Sequence, residues 1–467
     1  MNNAVNNAVN NAVNKIQYLF SGLLALLLSG CTSYGVIDNI PKKTIDHSGY
    51  SWMSGLKNSE KDNNITIIVS FSGGGTRAAA LSYGVLKGLR DTTIPIDGKA
   101  VRMLDEVDYI SSVSGGSFTA AYYGLYGDEI FNTFEDAFLL RDVEQYLFWG
   151  LLNPFEWIRQ GGRTEMAIRY YNEHIFHGAT FADMKRDGPL IIINASGLGN
   201  GVRFSFLQEY FNLFCSDMSN FPVAKAVAAS SAVPIVFLPV VLEKYTDCGS
   251  AEPEWLTRAK SKAGDDAVLL ETIHGVEALL KQDERRFIHL VDGGITDNLG
   301  LHATLDMVTL AGGAQQTLRK MDKKPPSHLV IISVNSSTEP QPGMDLSSKE
   351  PSIGESIDSM SSIQLHRYNN TTLDLMERSV NKWADEVSTP GHKVKPYFIR
   401  IGLKGMKETK MRRIFNKIPT SFALNRETID HLVTGGQRLL QKNPEFVNLI
   451  SNIGGKIDGV LLKAIPK

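Results

Sequence analysis

The chain has 467 residues, 43% of them hydrophobic, and its 48 basic side chains almost balance 50 acidic ones. That is enough apolar material for a sizeable core. Charge this even leaves no basic footprint for nucleic acid or another polyanion, so no nucleic-acid partner is expected.

Residues 2–13 are three copies of Asn-Asn-Ala-Val, a low-complexity tract with nothing to bury. Lys15 then precedes an apolar run, Ile16 to Leu28, too short to span a bilayer as a mature helix. The run ends in Leu28-Ser29-Gly30-Cys31, which resembles the processing box of bacterial lipoproteins, where the cysteine becomes the new N-terminus and carries lipid. An ordinary signal peptide cleaved nearby, or an uncleaved anchor, is the competing reading. Residue 32 is Thr rather than Asp, which in such lipoproteins accompanies passage to the outer membrane. The expectation is a signal peptide over 1–30, a tether over 31–60, and a protein held in the cell envelope by lipid on Cys31.

Beyond the tether, short β-branched runs alternate with helical periodicity, which argues for an α/β fold with a largely parallel sheet. The spacing predicts a strand over Ile65–Phe71, then a helix with Leu81, Val85 and Leu89 on one face. A second strand, Val107–Ile110, runs into a helix through Phe118, Ala121 and Tyr122. Leu147 to Trp157 is rich in Trp, Phe and Leu. It reads either as a core-covering helix pair broken at Pro154 or as a membrane-interface segment. Further strands are predicted at Leu190–Ile193, at Phe287–Val291 (interrupted by His289) and at Leu329–Ile332. A charged stretch within about 249–285 reads as a peripheral helical insertion, and Pro340 to Ser359 as a loop. A helix from Ile363 to Val387, a strand from Tyr397 to Ile401 and a helix around Arg426 to Gln441 complete the pattern. The expected organisation is one catalytic domain over 61–335 and a C-terminal extension over 336–467 packing on the same fold.

Three glycine-rich turns, each at the end of an apolar run, carry the chemistry. Ser112-Val113-Ser114-Gly115-Gly116 follows a strand and opens a helix, and a turn this sharp needs small neighbours around the central serine. Ser111, Ser112 and Ser117 are rivals, but Ser114 alone has Gly at both following positions. Ser72-Gly73-Gly74-Gly75-Thr76-Arg77 also sits between strand and helix. There backbone N–H groups and the helix N-terminus favour an anion, either an oxyanion or a phosphate. It lacks the Lys-Ser/Thr ending of a P-loop. Arg77 has three readings: support for the loop, an anionic head-group contact, or a structural ion pair. Asp292-Gly293-Gly294 places a carboxylate at a strand's C-terminal end. A structural turn remains the alternative for each isolated motif. A Ser-Asp-His triad would recruit His302 or His328, although neither lies in a recognisable motif.

Together, in this order, the three turns resemble the oxyanion loop, nucleophile and base of the patatin-like phospholipases. The resemblance spans Ile65 to Leu301. It includes Ala224 to Pro234 and Val291 to Asn298, with a weaker echo in Ile418-Pro-Thr-Ser-Phe422. Ser112 stands where the usual pattern has Gly. The resemblance implies a three-layer α/β/α sandwich and a serine acyl hydrolase that cleaves acyl esters of membrane phospholipids or related lipids. It implies no metal and no organic cofactor. Ser114 would be the nucleophile, Asp292 the base, and Gly73, Gly74 and Gly75 the oxyanion hole. The rival from another class is a catalytically silent lipid-binding outer-membrane lipoprotein.

Two side issues stay open in the sequence. Cys215 and Cys248 either pair in an oxidising compartment or remain free buried thiols. His174 and His177 lack the Glu and third ligand of a zinc site and read as helix surface.

Overall fold

The computed structural model describes residues 34–458 apart from 46–48, 58–63, 152–161, 235, 247, 250–251, 282–284, 340–344 and 406–408. Cys31 with its processing box, and the Pro154 break, lie outside the described residues.

Eight strands form the central sheet: β1 (Ile65–Phe71), β2 (Val107–Val113), β3 (Leu190–Gly197), β4 (Arg203–Ser205), β5 (Val240–Glu243), β6 (Phe287–Asp292), β7 (His328–Asn335) and β8 (Lys395–Gly402). Their spatial order is β8-β7-β1-β2-β3-β6-β5, and β4 pairs with the end of β3. The five strands from β8 to β3 run parallel, whereas β6 and β5 join antiparallel. The parallel strands read as continuous apolar runs because helices cover both of their faces. Side chains alternate accordingly. Ile67, Val69 and Phe71 enter one core, while Ile68, Ile192 and Ile331 enter the other.

The first core is closed by α1 (Gly75–Arg90), α2 (Gly115–Tyr126), α3 (Val223–Ser230) and α6 (Arg426–Gln441), the second mainly by α4 (His302–Ala311) and α5 (Ile353–Val387). This is the expected three-layer α/β/α sandwich with a mostly parallel sheet. In the first core Phe118 of α2 stacks on Phe138, with centroids 4.1 Å apart, and meets Tyr171 edge-on at 4.9 Å. Where α6 crosses α1 the backbones touch. A Cβ on Gly84 would lie 2.1 Å from the Val433 carbonyl oxygen, and one on Gly436 2.3 Å from that of Leu81.

Three departures from the sequence reading have local causes. Helix α5 begins at Ile353, ten residues before the expected Ile363, because Ser352 and Glu355 form a reciprocal capping box. The predicted loop therefore ends at Ser352. A hairpin, Thr92–Ile96 with Lys99–Arg102, turns through Asp97-Gly98, both with positive φ. Edge strand β5 was not anticipated either. The charged insertion is helical, Glu254–Ala263 and Ala267–Leu280.

The segment after Tyr34 is strapped to the body. Ile40–Pro41 pairs antiparallel with Ser216–Asp217, and the Asn39 amide binds both the N–H and the carbonyl of Glu243 on the outer edge of β5. Lys225, fully buried on α3, donates to the Val36 carbonyl at 2.6 Å and pairs with Asp38 and Glu165. Cys215 and Cys248 are paired as a disulfide, with Cα atoms 5.5 Å apart, and the Cys215 carbonyl accepts the Lys42 N–H.

A bridge across a sequence separation of 33 restricts the unfolded chain by roughly 3–4 kcal/mol. Cys215→Ser with Cys248→Ser should therefore lower the denaturant midpoint under oxidising conditions. An unchanged midpoint would show that the bond contributes nothing to stability.

Candidate active site

Strand β2 ends at Val113, and the chain turns through Ser114 into α2. Ser114 has φ 51°, a left-handed value that a non-glycine residue adopts only under constraint. The constraint is visible. The Ser114 N–H donates to Ser230 Oγ at 2.8 Å, and Ser230 in turn donates to the Asn194 carbonyl at 2.6 Å. Gly115 is glycine because a Cβ there would lie 2.0 Å from the Gly75 carbonyl oxygen, so the elbow rests directly on the glycine-rich loop.

The rival serines are occupied and fully buried. Ser111 Oγ accepts from Asn194 Nδ2, Ser112 Oγ donates to the Ile192 carbonyl, and Ser117 Oγ bonds Ser112 and Ser230. A hydroxyl at 112, where glycine is usual, thus serves the sheet. Ser114 alone among them interacts with Asp292, where its side chain favours the ionised carboxylate.

Asp292 ends β6, antiparallel to β3, which puts it opposite the elbow. Its N–H donates to the Ala232 carbonyl, and its Oδ1 accepts the Gly294 N–H at 2.7 Å. Burial raises its pKa from 3.8 to about 6, only partly opposed by the bonds from Gly294 and Ser114. Asp297, five residues on, is also buried and raised by desolvation, but its oxygens accept the Leu301 and Ala303 N–H groups at the start of α4.

In the glycine-rich loop, Gly73 is engaged elsewhere: its N–H donates to the Asn298 carbonyl at 2.9 Å. In this conformation the Gly73 N–H is committed to that carbonyl, unlike those of Gly74 and Gly75. Both have positive φ, and among the described residues neither N–H meets an acceptor. Thr76 N–H goes to the Ser421 carbonyl. Arg77 is buried and donates to the Ser336 and Ile418 carbonyls and to Thr420 Oγ1, with no ion pair among the described residues. Burial lowers its pKa to about 10. Its geometry is that of loop support.

The two triad histidines lie elsewhere. His302 Nε2 is shared by Thr372 Oγ1 and the Tyr368 hydroxyl, and the ring stacks on Tyr368. His328 starts β7, about 20 Å of strand away from the end where the elbow sits. Among the described residues neither imidazole bonds Ser114 or Asp292. His174 packs on Tyr170, and His177 bonds the Glu173 carbonyl. No group of three or more His, Cys, Asp or Glu side chains among the described residues has metal-holding geometry, and no described helix is long and apolar enough to cross a membrane.

Sequence reasoning assigned no role to Ser230, Asn194, Asn298 or Ser336. Ser336 Oγ donates to the Gly73 carbonyl at 2.7 Å, and Asn298 joins the Asp292 segment to the glycine loop. For Ser230 and Asn298 the one signal was the resemblance carried by Ala224–Pro234 and Val291–Asn298; Asn194 and Ser336 lie outside both segments.

The family profile described as patatin-like phospholipase matches residues 69–305. No curated protein matches the chain. Among solved structures, human GIVD cytosolic phospholipase A2 aligns at 12% identity over 91% of this chain, with a TM-score of 0.44. The chain spans 66% of that human enzyme's length. VipD from Legionella pneumophila aligns at 10% identity over 92% of this chain and 73% of its own, with a TM-score of 0.32. The profile covers half of the chain, from within β1 to the start of α4, and encloses both Ser114 and Asp292. The chain belongs to the patatin-like phospholipase family.

Proposed function

We propose that the protein is a membrane-anchored lipid acyl hydrolase working through a Ser114–Asp292 dyad. The observation that carries the reading is the Ser114 side chain set beside a buried carboxylate whose ionised form it favours, on a strained elbow, with no imidazole bonded to either residue among the described residues. Family membership supports lipid-ester hydrolysis in general, and a silent lipid carrier has no use for that strain.

In the proposed cycle Asp292 takes the Ser114 proton as Oγ bonds the ester carbonyl carbon. The displaced carbonyl electrons become an oxyanion held by the Gly74 and Gly75 N–H groups. Collapse breaks the alkoxy C–O bond, and the leaving alcohol takes the proton from Asp292, leaving acyl-Ser114. Water then gives a proton to Asp292 and attacks the acyl carbon. The second collapse returns the proton to Ser114 and frees the fatty acid. A base near pKa 6 suits this role better than an ordinary carboxylate, since it binds the serine proton more tightly yet is ionised at neutral pH.

Ser114→Ala should abolish hydrolysis and covalent labelling by a fluorophosphonate. Labelling that persisted would assign the nucleophile elsewhere. Asp292→Asn should lose several orders of magnitude in kcat, whereas His302→Ala should stay within about tenfold of wild type. An inactive, folded His302→Ala would favour a triad.

The pH dependence has a defined sign. Since the base must be ionised, kcat/KM should fall about tenfold per pH unit below an apparent pKa near 6. For stability, the folded-state pKa lies above the unfolded one. The Asp292 contribution is therefore complete below about pH 4 and lost as pH rises through about 6. Asp292→Asn should then be more stable than wild type above pH 6, by up to roughly 3 kcal/mol, and show no such gain at pH 4. An acid limb near pH 4 in the rate profile would contradict the raised carboxyl.

The anchor is proposed at Cys31, placing the protein in the outer membrane with bilayer phospholipid as substrate. Cys31→Ser should abolish palmitate labelling and release the protein from the membrane fraction. Wild type that carries no label and fractionates like the variant would remove the lipoprotein part of the proposal.

A further inference from the structure

The strap and the outer edge of the sheet meet on one face of the protein. Tyr34 and Ile37 line a single cavity with Leu238, Pro239, Val241 and Phe287. Gly35 lies so close to Val241 that a Cβ would come within 2.4 Å of its Cγ2. Lys225 grips the Val36 carbonyl and Asp38 just beyond. The chain is thus fixed to the body from Val36 onward. Val36 lies five residues beyond Cys31, a reach of at most about 18 Å when fully extended.

That same face exposes apolar side chains a folded protein would ordinarily cover. Tyr34 is 79% exposed, Val236 49%, Phe287 47% and Leu238 45%. Tyr34, Leu238 and Phe287 line the one cavity, with Val236 two residues from Leu238, and exposed apolar side chains gathered in this way suit an interaction surface. The loop from Ala232 to Pro239 carries two of these residues, and its first carbonyl accepts the Asp292 N–H. The loop that carries Val236 and Leu238 therefore starts against the main chain of Asp292, the proposed base.

We propose that this face, built from Tyr34, Val236, Leu238 and Phe287, is laid against the lipid bilayer. The inference rests on the reading of Cys31 as a lipid anchor and of membrane lipid as substrate. The short reach from Cys31 selects the occupant: a body fixed within about 18 Å of an acylated cysteine keeps this face near the headgroup layer. The anchor supplies attachment. The apolar side chains supply orientation, turning the Asp292 side of the sheet toward the substrate.

The test uses the full lipidated chain with single cysteines at Val236, Phe287 or Val447, each carrying an environment-sensitive dye. Cys215 and Cys248 are already paired, and Val447 is exposed beside β8 at the opposite edge of the sheet. With phosphatidylcholine vesicles, the dyes at 236 and 287 should shift to the blue and the dye at 447 should not. Equal shifts at all three positions, or no shift at 236 and 287, would overturn the proposal. A shift at 236 and 287 that appeared only with a protein partner present would assign the face to that partner instead, and would also overturn it. A second variant, Val236→Asp with Leu238→Asp and Phe287→Asp, should lose at least tenfold on vesicle phospholipid. It should keep its rate on a dissolved short-chain ester within twofold. Equal rates on both substrates would again reject the surface. The two readings separate cleanly, because failed palmitate labelling of wild type removes the anchor and absent ester hydrolysis removes the enzyme. A lipidated, vesicle-bound protein with silent dyes at 236 and 287 removes only the orienting face.

Discussion

The contact on which the site depends is between two backbones. Gly115, first residue after the elbow, lies against the Gly75 carbonyl at a distance no side chain would permit. Gly75 is itself backed by Ser421, whose carbonyl oxygen would sit 2.5 Å from a Cβ on Gly75. Three segments far apart in sequence therefore stack main chain on main chain, and this fixes Ser114 relative to the glycine-rich loop. A left-handed serine costs on the order of 1–3 kcal/mol. Here the Ser230 hydroxyl on its N–H and the glycine contact beneath it keep that conformation in place.

Buried charges divide into two groups by how they are met. Lys225 has Asp38 and Glu165, and Arg203 has Asp306, so each of these structural cations is neutralised where it is buried. Asp292 and Arg77 are held by hydrogen bonds from or to groups without charge, and among the described residues neither has an ion-pair partner. Their pKa values move in the directions that desolvation dictates, one up and one down. An unpaired buried carboxylate holds protons avidly. An unpaired buried guanidinium leaves a positive field beside the loop where negative charge would develop. The site is thus electrostatically unfinished until a substrate occupies it.

Much of this was legible in the sequence, for physical reasons. Uniform apolar runs such as Ile65–Phe71 and Leu190–Ile193 can only be strands covered on both faces, and they are. Glycine-rich turns at strand ends picked out Ser114 and Asp292, which the fold brings close enough for the Ser114 side chain to favour the ionised carboxylate. What escaped was whatever depends on pairing at a distance. Strand β5 is short and is held at the edge by β6 and Asn39, so no local pattern announces it. The engagement of Gly73 with Asn298 is a tertiary hydrogen bond that composition cannot encode. The early start of α5 was written in Ser352 and Glu355, but the flanking Pro, Ser and Gly residues outweighed that signal.

The order of the strands has a consequence in time. β1 lies in the middle of the sheet, yet its neighbour on one side is β7, and the loop that follows β1 is pinned by Ile418, Thr420 and Ser421. A chain made from its N-terminus presents Ser114 and Asp292 long before those acceptors exist. Until they arrive, Arg77 has lost two of its three hydrogen bonds and Gly75 has no wall behind it. The backing of the glycine-rich loop thereby waits for residues 418–421, which are made long after Ser114 and Asp292.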